Sequence, residues 1–195
     1  MKNFPYEDEL IEKVRGRTKV AERFLGFTDR PAPPPIRKKI ETAMEEVPRL
    51  LEVFYNYKIV GDEIYILYSV GDKFEKRVDE LLRQGQAMNA LIMDKLGVIC
   101  LDAVRSLIFR EVAERYHKSP DKIYYPGSRD YGIEAQTEIY EMMETGYIRI
   151  NAYHQLYPIK TVALKATLRD EPGHPPASPC ESCDCPCEMR GQWNA

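Results

Sequence analysis

The stretch from Ala87 to Tyr116 constrains this chain more than any other feature, because it is apolar almost all the way round. Met88, Leu91, Ile92, Leu96, Ile99, Val104 and Ile108 spread over most of a helical wheel. A surface helix carries one apolar stripe, whereas a helix apolar on every side must be covered on every side. At about 1.5 Å per residue this one would run about 45 Å, so the other elements have to pack around it. Gly97 sits in its middle, where glycine costs about 1 kcal/mol against alanine; a close backbone approach or a local break is expected there. Asp94 reads as a solvated or capped carboxylate ahead of a site role, and Cys100 as a buried, inert thiol.

The 195 residues are enough for one domain with a real core. Residues 7–25 read as one or two helices stopped at Gly26. Pro31 to Pro35 form a stiff extended spacer, either a connector or a polyproline ligand. Ile36–Val47 reads as a helix that Pro48 breaks or kinks. Tyr55–Val60 and Glu63–Val70 read as strands joined by a hairpin turn at Gly61-Asp62. Gly71-Asp72 offers a cap for a helix over Lys73–Arg83, with Phe74, Val78, Leu81 and Leu82 on its apolar face. Ser119-Pro120-Asp121 ends the long helix, and Glu134–Met143 is an amphipathic helix. Tyr147–Tyr157 and Lys160–Leu168 read as strands joined at Pro158. His117 falls at the end of the long helix and His154 in a strand among tyrosines. Helices and strands mix without regular alternation, so the expected class is α+β. The domain is expected over residues 1–169, followed by a Cys-rich C-terminal tail over 170–195 with little to bury.

A formal net charge of -3 gives no long-range attraction to nucleic acid or an anionic membrane. No apolar run approaches the roughly 18 residues of a bilayer span, and Met1 to Glu9 lacks the apolar centre of a signal peptide. The expected compartment is the cytoplasm, with neither nucleic acid nor membrane as partner. There, clustered cysteines point to metal or redox chemistry before disulfides. Cys180, Cys183, Cys185 and Cys187 crowd into the tail. Cys180-x-x-Cys183 has knuckle spacing, and three or four thiolates can hold Zn or an iron–sulfur cluster; thiol redox chemistry is the other reading. His174 is either an outside ligand or a solvated imidazole. The chain has no Ser/His/Asp set, no P-loop and no dinucleotide fingerprint.

The most specific pattern runs from Tyr124 to Val162. It reads Tyr-Tyr-Pro-Gly-Ser-Arg-Asp-Tyr-Gly-Ile-Glu-Ala-Gln, passes through a short amphipathic helix and an apolar strand, and closes on Pro158-Ile159-Lys160-Thr161-Val162. Upstream stand Arg23-Phe24-Leu25-Gly26-Phe27 and Ala90-Leu91-Ile92-Met93-Asp94-Lys95-Leu96-Gly97; the tail ends in Cys180-x-x-Cys183 and Cys187-x-x-Arg190. In that order, over about residues 20–190, these motifs resemble the activation domain of cobalamin-dependent methionine synthase and stand-alone proteins related to it. The resemblance implies a twisted antiparallel sheet with a long central helix and flanking helices. It also implies an accessory protein that binds S-adenosylmethionine and serves the reductive remethylation of a corrinoid-dependent methyltransferase. Cobalamin would ride on the partner, a corrinoid-binding methyltransferase or methionine synthase core, and a flavodoxin-type donor would supply the electron.

By position, the family's Arg-x-x-x-Gly-Tyr turn falls on Ile123, Gly127 and Ser128. Its Gly-Asp-Trp-Pro-Leu run falls on Arg129 to Ile133, and its Thr-Glu pair on Asn151-Ala152. The binding residues so implied are Tyr125, Gly127 and Ser128 at the turn, with Tyr131 as an aromatic wall. Arginine can grip a ligand carboxylate in a fork and isoleucine cannot, so Lys122 or Arg129 would have to supply the charge. The changes at Ile123, Ser128 and Ala152 motivate a second expectation from another class. It is a non-catalytic metal- or cluster-binding accessory protein that kept the fold and lost S-adenosylmethionine. An interaction module working through the proline spacer and tail is a third.

Overall fold

The long apolar stretch forms one helix of 30 residues, and the other elements are arranged about it. The computed structural model describes residues 4–143 and 145–170. The elements are α1 (Glu7–Arg15), α2 (Thr18–Phe24), α3 (Pro34–Leu50), β1 (Phe54–Val60), β2 (Glu63–Ser69), α4 (Lys73–Arg83), α5 (Ala87–Tyr116), β3 (Ser119–Tyr124), α6 (Ala135–Met142), β4 (Arg149–Ile150), β5 (Leu156–Tyr157) and β6 (Thr161–Arg169). The class is α+β. A four-stranded antiparallel sheet has the order β1-β2-β6-β3, and β4 and β5 form a separate short pair.

The alternation of β2 decides which side of the sheet meets which layer. Ile64 and Ile66 face α5 and join a core with Leu96, Ile99, Ala103 and Leu107. Leu67 faces the other way and joins Ala163 under Ile139 of α6, with Met143, Ile148 and Leu156. A strand sends successive side chains to opposite faces, so one sheet supports a large core and a small one. The helices α1 to α4 pack on α5 and complete the large core. In the β1–β2 hairpin Val60 faces Glu63, and Gly61 takes φ 60, the positive value a tight hairpin turn needs at its first central position.

Several local expectations change. The proline run is not a free spacer: Pro34 and Pro35 open α3, where the missing N–H groups had no helical partner to lose. Ala32 is buried, and its N–H donates to the Glu22 carboxylate at 3.2 Å. Pro48 does not end α3, which continues to Leu50 because Val47 and Leu50 are anchored in the core. Asp72 makes no side-chain cap on α4; its carboxylate pairs with Lys76 at 2.7 Å. Leu82 is exposed, so Phe74 and Leu81 carry the burial of α4. After α5, His117 takes φ 53 and Ser119–Tyr124 becomes a strand, although Pro120 hid it from pattern reading. The expected strand over Tyr147–Tyr157 shrinks to β4 and β5, and His154 lies in the turn between them at φ 62.

Candidate functional site

The corner before β6 sends a lysine inward. Lys160 is 6% exposed, and its stem lies across Gly97 of α5. A Cβ at position 97 would overlap Cδ and Cε of Lys160 and stand 3.3 Å from Phe74. The glycine therefore admits a side chain, not the neighbouring backbone or the break expected from sequence. Nζ of Lys160 reaches Asp94 Oδ1 at 2.7 Å and lies 3.8 Å from Glu75 Oε1, which also accepts the Lys160 backbone N–H at 2.9 Å. The Lys160 carbonyl accepts from Ser69 Oγ at 3.0 Å and from the Val70 N–H at 3.2 Å. Asp94 is thus the acceptor of a buried cation, a correction to its reading as a solvated or capped carboxylate.

The two carboxyls are pushed in opposite directions. Burial raises Glu75 above the usual carboxylate range, against hydrogen bonds from backbone and the charge of Lys160. Burial also works on Asp94, but the hydrogen bond and charge of Lys160, helped by Lys95, outweigh it and hold Asp94 low. Glu75 Oε2 is buried and makes no hydrogen bond among the described residues.

Beside Glu75 opens a cleft of about 260 Å³. Asp72 and Glu75 come from the start of α4, Tyr147, Arg149 and Tyr157 from the short hairpin region, and Pro158-Ile159 from the corner. Tyr147 is stacked on Phe54 with ring centroids 3.9 Å apart, and the Tyr157 hydroxyl donates to Gln155 at 2.9 Å. Arg149 is exposed. Each of these rings thus has a partner within the fold.

The turn implied by the resemblance is well formed. Gly127 has φ 86, its N–H donates to the Tyr131 carbonyl at 2.8 Å, and the Ser128 N–H donates to the Tyr125 carbonyl at 3.0 Å. Gly127, Ser128 and Tyr131 come together there, whereas Tyr125 turns away. Tyr125 packs on the large core, where its hydroxyl lies 3.3 Å from Nη1 of Arg105, and Tyr131 packs on the small one. Tyr131 meets Tyr124 edge-on at 6.2 Å, with Lys165 Nζ within 5.4 Å of both rings. Ile123 is 2% exposed in the large core, and Lys122 and Arg129 are exposed. Ala152 is exposed in the β4–β5 turn, which Asn151 closes by accepting the N–H groups of Tyr153 and Gln155.

Cys180, Cys183, Cys185, Cys187 and His174 lie outside the described residues. Among the described residues no group of three or more His, Cys, Asp or Glu side chains is placed to hold a metal ion. Cys100 is buried, as expected, and burial pushes its thiol well up. No described helix is long and apolar enough to cross a membrane.

A second buried charge cluster escaped sequence reasoning. Arg105 donates to Asp102 at 2.6 Å, with both side chains 2% exposed, and Arg17 reaches Asp102 from the α1–α2 junction. Two charges inside an apolar helix were its only local signal. Farther along α5, Glu111 accepts from the hydroxyls of Tyr55 at 2.8 Å and Tyr57 at 2.9 Å. No protein-family model and no curated protein matches the chain.

Proposed function

We propose that this chain is an accessory protein that binds S-adenosylmethionine and supports the reductive remethylation of a corrinoid-dependent methyltransferase such as methionine synthase. One observation carries the reading. The segment whose motifs resemble the activation domain, Tyr124–Val162, builds both the Gly127 turn and the tyrosine-walled side of the cleft. Tyrosine faces attract a sulfonium cation, carboxylates complement its charge, and a guanidinium can pair with the methionyl carboxylate. On this reading residues 1–169 supply position, while methyl transfer and the electron belong to cofactors and partners. Those partners are a corrinoid-bearing subunit and a flavodoxin-type donor.

Calorimetry on the full chain tests it with S-adenosylmethionine against S-adenosylhomocysteine, which lacks the sulfonium charge. Saturable binding that prefers the sulfonium supports the reading; no heat at millimolar ligand sinks it.

A second reading rests on Ile123. The position that answers to the family's arginine is filled by a core side chain, which favours a metal- or cluster-binding accessory protein without S-adenosylmethionine. Metal analysis of protein purified without oxygen, intact and with Cys183→Ala, tests it; a metal-free intact chain rules it out.

A further inference from the structure

A second cavity, of about 520 Å³, opens between α3, α4 and the start of α5. We propose that it binds a nucleoside monophosphate, with the phosphate on Lys38 and Lys39 and the base stacked on the guanidinium of Arg77. None of the lining residues comes from the Tyr124–Val162 segment, so this site does not rest on the function proposed above.

The volume falls within the roughly 300–1,000 Å³ usual for small-molecule sites. Three cations and one carboxylate line it, on a chain whose formal net charge is -3. The local field therefore favours an anion where the whole molecule does not. Lys38, Lys39 and Thr42 share one exposed face of α3. Lys38 and Thr42 make no hydrogen bond or ion pair among the described residues. Lys39 gives one donor to Asn89 Oδ1 at 2.9 Å and keeps two. A phosphate placed there gains charge-assisted hydrogen bonds, which are roughly twice as strong as neutral ones.

The other end of the cavity is built differently. The charge of Glu46 is already answered: Arg77 reaches its two oxygens at 2.9 and 3.2 Å, and Arg49 lies 3.1 Å from one of them. Arg77 also donates to Glu80 at 2.7 Å. These bonds hold the guanidinium by its edges, so it has no fork left for a phosphate. Its side chain is 24% exposed, and a guanidinium face is a platform on which a base stacks. From Lys39 to Glu46 the helix rises about 10 Å, the order of the reach from phosphate to base in a nucleoside monophosphate.

The experiment is calorimetry on the full chain with adenosine monophosphate, uridine monophosphate, adenosine and methyl phosphate. Adenosine lacks the phosphate, and methyl phosphate lacks the nucleoside. The expected result is saturable nucleotide binding, weakened about tenfold or more when either part is missing. Lys38→Glu should weaken it about as much. Arg77→Lys keeps the charge and removes the flat face, so it should weaken the nucleotides and leave methyl phosphate unchanged. Circular dichroism checks that the variants are folded, and the exposed, unpaired Lys38 keeps the test decisive if Arg77→Lys disturbs the helices. Absence of binding by both nucleotides overturns the proposal. So does methyl phosphate binding as tightly as the nucleotides, which marks an adventitious ion only. Nucleotide binding unchanged in Lys38→Glu also overturns it; if S-adenosylmethionine displaces that nucleotide, the function proposed above still stands.

Discussion

Two buried cations sit on opposite terms with solvent. Arg105 is sealed with Asp102 one turn away on α5, both side chains 2% exposed. Lys160 is nearly as buried, but its partners Asp94 and Glu75 are 37% and 19% exposed and one of them lines a cleft. A sealed pair has nothing outside the protein to exchange with; both of its residues lie on α5, and Arg17, reaching Asp102 from the α1–α2 junction, ties it to a neighbouring element. A pair at a rim can share a carboxylate with a ligand. Burial alone therefore does not separate structure from function; the surroundings of the partners do.

The sharpest break in this comparison is Asp102→Ala. It leaves Arg105 buried without its carboxylate, and such losses cost about 3–5 kcal/mol; chemical denaturation measures it. Gly97→Ala comes next. Overpacking typically costs about 1–3 kcal/mol, and most of that should disappear in a Lys160→Ala background, where the overlapping atoms are gone. A double-mutant cycle reads the difference.

The third prediction concerns pH. Asp94 is held below its ordinary value of 3.8 in the fold, so its contribution is present above that value and lost as pH falls through the lower folded one. Asp94→Asn should cost about 1 kcal/mol near neutrality, screened because the group is partly exposed, and little in strong acid. Glu75 is raised above 4.5, so its contribution is present below that value and lost as pH rises through the folded one. Glu75→Gln should therefore be most unfavourable in acid and improve relative to wild type towards neutral pH. Stability curves of the two variants with the same slope would contradict the opposed environments. The smallest effect belongs to Arg149→Met, within about 0.5 kcal/mol of wild type, since the Arg149 side chain is exposed.

Local periodicity made α5, the β1–β2 hairpin and α6 legible, because each is decided by the spacing of apolar residues along its own few turns. β3 was not legible, since Pro120 and Asp121 interrupt alternation at a sheet edge. The helical role of Pro34 and Pro35 depends on where the helix begins, and Pro48 survives because Val47 and Leu50 are held by tertiary packing. The turn at Gly127 was visible as a motif, but the division of Tyr125 and Tyr131 between two cores follows from the sheet's geometry. Glu75 and Lys160 are 85 residues apart in their hydrogen bond. No reading along the chain joins them, although Gly97 marked the place where something had to come close.

The fit of Lys160 over Gly97 ties two distant positions into one heritable unit. A side chain at 97 obliges the lysine to shift, and loss of the lysine removes its two overlapping atoms. Among descendants of this sequence the two sites are expected to change together or not at all, with Gly97 free to become alanine only where Lys160 has already shortened.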